Sequence, residues 1–173
     1  SAIAHPPSGL AVLATSLPQL NAELPAVGSV SLVVSWCGDD LRCGHCTLRP
    51  KVEQTIRDGV GMSWRSGGIV RSVAMEVPKI SGASIYGGTP SDASVSEAIT
   101  AIKATGKEGG FYPFILMDQL EDNLLPDPWT GGPSQPKLPW RGRITLSSAP
   151  GQAGTPDRTV AAEAEVDSFF GTA

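Results

Sequence analysis

Ser29-Val30-Ser31-Leu32-Val33-Val34-Ser35-Trp36-Cys37-Gly38-Asp39-Asp40 is the stretch that decides the fold. Residues 30–36 are rich in β-branched and aromatic side chains, which predicts a strand, and such near-continuous apolarity favours a strand covered on both faces, as in a parallel sheet. Gly38 breaks the run, and two adjacent carboxylates follow it. Barrels and open sheets of the α/β class place their chemistry at this end of their strands.

A second strand of the same kind is predicted at residues 111–118, and it also ends in a carboxylate, Asp118. Pro113 cannot donate a hydrogen bond to a ladder, so the strand either begins at Phe114 or has the proline at the edge where it starts. Between the two strands, residues 89–92 supply helix-start chemistry, and apolar residues recur at intervals of four and three up to Gly106. This pattern predicts a helix over about 92–105.

Two further helices and two long loops complete the predicted pattern. Ser16 is expected to cap a first helix with Pro18 in its first turn, and Thr155 a last helix that ends at Gly171. Residues 41–89 are predicted to form an elaborated loop in which 69–77 and 80–86 pair as an antiparallel ribbon. A second Pro/Gly-dense loop is expected over 119–154. The order is therefore strand, long loop, helix, strand, long loop, helix.

Two such units imply parallel strands joined by crossovers, but two parallel strands cannot close a sheet. A (β/α)8 barrel needs eight units. The sequence thus predicts an α/β fold, the N-terminal part of a TIM-barrel-like domain with long inserted loops, over residues 16–173, preceded by an irregular segment at 1–15. The first residue is serine rather than Met, which also suggests an excerpt from a longer polypeptide.

The composition of the chain indicates which classes of partner it is suited to bind. The 173 residues carry a net charge of -4, which gives no basic footprint for nucleic acid or an anionic membrane. No run approaches the ~20 apolar residues that a membrane span needs. Charged residues make up only 17% of the chain, below the roughly 25% of typical domains, beside 20 Gly and 15 Pro. This mixture indicates long ordered loops, or surface hidden against other subunits.

Asp39, Asp40 and Asp118 are the candidate catalytic residues. If both strands belong to one barrel, the three carboxylates emerge at the same rim, where a pair of carboxyl groups can supply the acid and the base or nucleophile of glycoside hydrolysis. The alternative is structural, since acids that follow strands also cap the next segment or bind loop N–H groups.

Cys37, Cys43 and Cys46, with His45 between the last two, form a second cluster. Three thiols and an imidazole can make a Cys₃His zinc site. A local disulfide between two of the three cysteines, or buried reduced thiols, is the alternative. No cofactor is predicted.

Aromatic residues in the loops are candidate platforms for sugar rings, or anchors that pack the loops down. They are Trp36, Trp64, Trp129, Trp140, Tyr86 and Tyr112. Arg141 and Arg143 can bind a carboxylate or phosphate, or pair with nearby acids. Of these residues, we assign Trp36, Trp129, Trp140, Arg141 and Arg143 to glycan binding.

Several segments together resemble one family, the TIM-barrel-like, glycoside-hydrolase-like domain of the large baseplate or host-specificity protein of gene transfer agents and related tailed phages. The segments are VVSWCGDDLRCGHCTLRP (33–50), YGGTPSD (86–92), YPFILMD (112–118), PWRGRIT (139–145) and FFG (169–171). The resemblance covers most of residues 15–171.

The resemblance implies a virion-like particle, made in the bacterial cytoplasm, whose tail tip helps deliver packaged DNA into a recipient. Other baseplate proteins and cell-surface glycan are then the expected partners. Family members usually carry phenylalanine at the position of Cys37, which leaves Cys43 and Cys46 as the more family-like pair for a disulfide or metal. The hydrolase label of the family rests on likeness of fold. Two hypotheses follow, a structural and recognition module of the baseplate, or an active hydrolase of capsule or wall polysaccharide.

Overall fold

The computed structural model describes residues 12–117, 124–135 and 144–171. The helices are α1 (Val12–Glu23), α2 (Asp92–Ala104) and α3 (Val160–Phe170). The strands are β1 (Ser29–Gly38), β2 (Leu48–Arg49), β3 (Lys51–Val52), β4 (Arg65–Ser66), β5 (Ile69–Val70), β6 (Met75–Glu76), β7 (Lys79–Ile80), β8 (Ala83–Ser84) and β9 (Glu108–Met117). The long elements follow the predicted order, and the mixed α/β class is confirmed.

The two long strands lie side by side and run in the same direction. β1 and β9 pair in parallel over ten residues each, from Ser29 opposite Glu108 to Gly38 opposite Met117. The short strand β2 joins the other side of β1 antiparallel, at the last two residues of β1 only. The C-terminal ends of the two long strands are therefore level.

Pro113 lies in the interior of β9, because this strand starts at Glu108, five residues before the proline. The N–H of Glu108 donates to the carbonyl of Gly28, 2.9 Å away, next to the start of β1. Successive residues of a strand direct their backbone groups to opposite sides, so Pro113 turns its nitrogen away from β1. The proline therefore removes no hydrogen bond from the β1–β9 ladder. Both predicted alternatives, a strand that begins at Phe114 and a proline at the edge where the strand starts, were therefore wrong.

One face of the β1–β9 pair is covered and the other is open. On the covered face, Ile102 of α2 is 1% exposed, and its Cγ2 atom lies 3.7 Å from where a Cβ at Gly109 would stand. The opposite face presents Val33 and Tyr112, which are 59% and 56% exposed, in an open groove of about 540 Å³. Parallel sheets are normally covered on both faces. The described residues form no closed barrel.

Two apolar clusters hold the loops. The first lies at the C-terminal ends of β1 and β9 and consists of Leu41, Cys46 and Met117, with Leu48, Ile115, Ile144 and Phe169 packed against it. The second lies in the inserted region between β1 and α2 and consists of Val52, Trp64 and Ala74, with Ile69 packed against it. Phe169 therefore anchors α3 to the first cluster, whereas its neighbour Phe170 is 78% exposed.

The inserted region between β1 and α2 consists of short pieces, as predicted, but the predicted ribbon of 69–77 with 80–86 was wrong. Instead β4 pairs with β5, and β7 with β8, in two local antiparallel hairpins, while β3 pairs with β6 in parallel. Gly67 and Gly68 have φ angles of 52° and 81°, and Ser81 and Gly82 repeat these values. Two-residue turns of this handedness close tight hairpins locally, before longer segments can pair.

The helix boundaries were predicted correctly for α2 and at one end of α3. Ser91 caps α2 by accepting a hydrogen bond from Ser94 N, 3.1 Å away, and Gly171 follows α3 with a φ of 75°. The predicted start of α3 was wrong because Thr159 caps the helix, while the Thr155 hydroxyl donates to a loop carbonyl.

The first helix starts at Val12, not near Ser16, so Pro18 lies inside α1 rather than in its first turn. The helix therefore extends into the segment that was predicted to be irregular. Within the described ranges, no helix is long and apolar enough to cross a membrane.

Gly88 offers a direct test of the packing between the inserted region and the turn before α2. A Cβ at this position would lie 2.6 Å from the carbonyl oxygen of Lys51 and 2.9 Å from Cα of Val52, both backbone atoms that cannot rotate away. We expect Gly88→Ala to lower the free energy of unfolding by about 1–3 kcal/mol. Urea denaturation measures the change.

Gly28→Ala is the matched control, because a Cβ there meets nothing within 4 Å. Its free energy of unfolding should stay within about 0.5 kcal/mol of the parent. Equal losses in the two variants would contradict the packing described for Gly88.

Candidate functional site

The loop that follows β1 is organised around the carboxylate of Asp40, a residue that is only 4% exposed. The guanidinium of Arg42 binds this carboxylate from one side, with Nη2 2.7 Å from Oδ2 and Nε 3.1 Å from Oδ1. The backbone N–H of Arg42 also donates to Oδ1, at 2.9 Å. From the other side, Gln135 Nε2 donates to Oδ1 at 2.7 Å. Both carboxylate oxygens are therefore engaged by fixed donors.

Gln135 ties the second long loop onto the first. Its Oε1 accepts a hydrogen bond from Leu41 N at 3.0 Å, and its Nε2 also donates to the carbonyl of Pro126 at 3.1 Å. Asp40 and Gln135 stand 95 positions apart in the chain. The pair is consequently a tertiary clamp between loops that both leave the same end of the sheet.

The surroundings of Asp40 lower its pKa below the usual carboxyl value. Burial is the largest single influence and acts to raise the pKa. The hydrogen bonds from the side chain and backbone of Arg42 and from Gln135, with the positive charge of Arg42, together outweigh it. Asp40 is therefore held as a charged acceptor, the opposite of what a general acid requires.

Asp39 is the more accessible of the two adjacent carboxylates. Its Oδ1 accepts a hydrogen bond from Thr47 N at 2.7 Å, and its Oδ2 lies 3.8 Å from Nη2 of Arg49, in side chains that are each more than a third exposed. Contacts of this kind match the structural alternative for acids after a strand. Asp118 lies outside the described residues, so its catalytic assignment, like those of Asp39 and Asp40, stays a prediction.

The three cysteines are buried, and none of them is in a disulfide bond in the structure. Cys46 lies in the apolar cluster beneath the end of β1, where its Sγ would be 3.0 Å from a Cβ at Gly38, and burial raises its pKa to about 11. Cys43 faces α3, and its Sγ is 3.9 Å from Oε2 of Glu165. Burial, and then the charge of Glu165, raise the pKa of Cys43 as well.

This arrangement corresponds to the buried reduced thiols that were one alternative. The structure contains no bond between Cys43 and Cys46, the family-like pair. In the part of the chain that the structure describes, no group of three or more His, Cys, Asp or Glu residues is arranged to hold a metal ion. The raised pKa values of Cys43 and Cys46 favour the protonated thiols, which are weak nucleophiles.

Glu165 is a site residue that sequence reasoning missed. From α3 it accepts hydrogen bonds from Ser147 N at 2.7 Å and from Ser147 Oγ at 2.6 Å. The loop before it pairs with the first loop, since Cys43 N donates to Thr145 O and Thr145 N donates to Leu41 O. An acid in a helix and a serine in a loop give no sequence signal of such a contact.

The tryptophans that the structure describes differ in their surroundings, and two of them, Trp36 and Trp129, were assigned to glycan binding. Trp36 is half-buried, and its Cη2 atom would be 2.7 Å from a Cβ at Gly67, so it packs against the inserted region. Trp64 is 6% exposed and donates from Nε1 to Thr89 O at 2.8 Å. Trp129 is 39% exposed on a loop turn. Trp140, Arg141 and Arg143 lie outside the described residues.

No protein-family model matches the sequence, and no curated protein is similar to it at a significant level. The geometry of the loops defines a network of buried polar contacts that fastens two loops and a helix to the ends of two parallel strands.

The clamp predicts a stability cost for Asp40→Asn. The substitution removes the charge that satisfies Arg42 and turns one acceptor into a donor facing Gln135, so we expect a loss of about 1.5–3 kcal/mol in the free energy of unfolding near neutral pH. Because the pKa is lower in the folded protein, this contribution is present above the usual carboxyl pKa of about 3.9 and is lost as the pH falls through the folded-state value. Chemical denaturation at a series of pH values measures the difference between variant and parent.

Asp157→Asn serves as the matched control, because the Asp157 carboxylate lies 3.7 Å from Nε of Arg158, whose side chain is 93% exposed. Its effect should stay within about 0.5 kcal/mol. A difference between Asp40→Asn and the parent that persists unchanged at strongly acidic pH would contradict the assignment of the charge.

Thiol counting tests the state of the cysteines. All three thiols are buried, so a maleimide reagent should modify the folded protein slowly, and unfolding in urea without reductant should expose three reactive thiols. Mass spectrometry counts the added groups. A single modified cysteine after unfolding would instead establish a disulfide between the other two.

Proposed function

We propose that the chain is part of the large baseplate protein of a gene transfer agent or a related tailed phage, and that it acts there as a structural and recognition module at the tail tip. The sequence likeness supports the family. Its motifs also coincide with the working parts of the fold: 33–50 runs from β1 into the Asp40 clamp, and 112–118 begins in β9. Neighbouring baseplate proteins and surface glycan are the partners that this role implies.

The hydrogen bonds to the carboxylate of Asp40 are the observation that favours a structural module over a hydrolase. A retaining or inverting glycosidase needs one carboxyl group that is protonated and one that faces substrate or water. Asp40 is buried, charged and bound by Arg42 and Gln135 on both oxygens. Asp40 therefore serves as a charged hydrogen-bond acceptor that joins two loops, which supports the structural role over the hydrolase.

We further propose that β1 and β9 are the first two strands of a TIM-barrel-like domain. Three features of the sheet support this: the parallel register of the two strands, the cover of α2 on one face only, and the apolar groove on the other face. In a barrel, helices cover the outside while alternate side chains fill the interior. Val33 and Tyr112 occupy the positions of such interior side chains.

Particles that carry single variants test the proposed function. Val33→Lys should be tolerated by the isolated chain, because Val33 is 59% exposed there, yet it should abolish particle assembly, since a charge on the inner face of a barrel has no partner. Asp39→Asn and Asp118→Asn should leave assembly and DNA delivery unchanged. Electron microscopy of tails and a gene-transfer or infectivity assay measure the two properties.

Val160→Lys is the control for Val33→Lys, because Val160 is 84% exposed on α3. It should assemble normally. Normal assembly of Val33→Lys particles would refute the barrel, and assembled particles that lose both glycan cleavage and delivery with Asp39→Asn or Asp118→Asn would establish the hydrolase instead.

A further inference from the structure

We infer that a cavity at the junction between the inserted region and the start of α2 binds a single neutral sugar residue. This inference rests on the proposed recognition role and assigns it to one place in the chain. The cavity has a volume of about 240 Å³. Its charged walls are Glu53 and Arg71, and its apolar walls are Met62, Trp64 and Pro90.

Glu53 supplies a hydrogen-bond acceptor to this cavity. Its Oε1 accepts a hydrogen bond from Gly88 N at 2.8 Å, which fixes the position of the carboxylate. Within the ranges that the structure describes, Oε2 accepts no hydrogen bond and the carboxylate has no ion pair. One oxygen of Glu53 is therefore held in place and the other can accept from a ligand.

Arg71 supplies a hydrogen-bond donor, and other contacts fix its position. Its Nε donates to Asp58 Oδ1 at 3.2 Å, and its Nη1 donates to the carbonyl of Gln54 at 2.9 Å. The guanidinium carbon lies 5.6 Å from the centre of the Trp64 ring. Its Nη2 makes no hydrogen bond with any residue that the structure describes. A donor held in this way loses little conformational freedom when a ligand binds.

The two charged walls together select the class of ligand. Glu53 repels an acidic ligand that pairs with Arg71, and Arg71 repels a basic ligand that pairs with Glu53. Asp58 adds negative charge beside Arg71, and the N-terminal end of α2 at Ser91 adds partial positive charge, so neither sign dominates.

A hydroxyl group both donates and accepts hydrogen bonds. Neighbouring hydroxyls of an uncharged sugar can therefore donate to Oε2 of Glu53 and accept from Nη2 of Arg71, while Met62 and Pro90 face its C–H groups. A cavity of this size suits one sugar residue rather than a longer chain.

The test uses the purified chain labelled with ¹⁵N, and methyl glycosides of glucose, galactose, mannose and N-acetylglucosamine. At millimolar concentration, at least one of them should shift the backbone amide signal of Gly88 in a saturable way, because Gly88 N binds the carboxylate of Glu53. The amide signal of Gly110, which lies in β9, should stay unchanged. Glucuronic acid and glucosamine, as charged probes at pH 7, should bind about tenfold more weakly or less.

Glu53→Gln tests the selection by charge, and it should fold because Glu53 is exposed. Glutamine keeps an acceptor for Gly88 N but replaces the second oxygen with an amide group that only donates, so the affinity for the neutral glycoside should fall about tenfold. The repulsion of acids is also removed, so glucuronic acid should bind the variant more tightly than the parent. Glu97→Gln is the matched control and should bind both sugars like the parent, because Glu97 is exposed on α2 and does not line the cavity.

Three results would overturn the inference: no selective shift of Gly88 with any neutral glycoside, equal losses of affinity in Glu53→Gln and Glu97→Gln, or no gain for glucuronic acid in Glu53→Gln. None of them bears on the assembly test with Val33→Lys, so failure of the sugar site and failure of the proposed function are distinguishable.

Discussion

The ten-residue parallel ladder between β1 and β9 is the constraint on which the rest of the structure depends. Because Gly38 lies opposite Met117, the loops that leave the two strands start at the same level. The first apolar cluster lies at this end of the two strands, and so does the clamp between Asp40 and Gln135. Shifting the ladder by one residue would move every side chain of a strand to the other face and separate these contacts.

The clamp also explains how a chain with so many prolines and glycines keeps ordered loops. Long loops have few backbone partners of their own, so they rely on side chains whose donors and acceptors are fully used. Asp40 accepts from Arg42 beside it and from Gln135, 95 positions away, and Glu165 accepts from Ser147 in the loop before α3.

The parts of the fold that could be predicted are those with local causes. The strand around Leu32, the helix capped by Ser91 and the stop at Gly171 each depend on a few neighbouring residues, and each was predicted. The start of α3 was missed because Thr155 and Thr159 are both good caps and only packing selects between them. The placement of acids at the end of β1 was also predictable, since it follows from strand order.

The contacts of those acids could not be predicted in the same way. Gln135 meets Asp40 only because two loops fold back over one sheet end, and no spacing or periodicity in the sequence encodes that meeting. The local hairpins at Gly67 and Ser81 were encoded in their turns, yet the alternating residues on either side suggested a longer ribbon. Turn geometry therefore outweighed strand propensity in the inserted region.

The outward nitrogen of Pro113 has a consequence for newly made protein. A strand from a second molecule that approached the outer edge of β9 would find a gap in the row of donors halfway along, together with the bulk of the pyrrolidine ring. Pairing of a second strand with this edge of β9 would therefore form one hydrogen bond fewer at Pro113. The same proline costs no hydrogen bond in the ladder with β1.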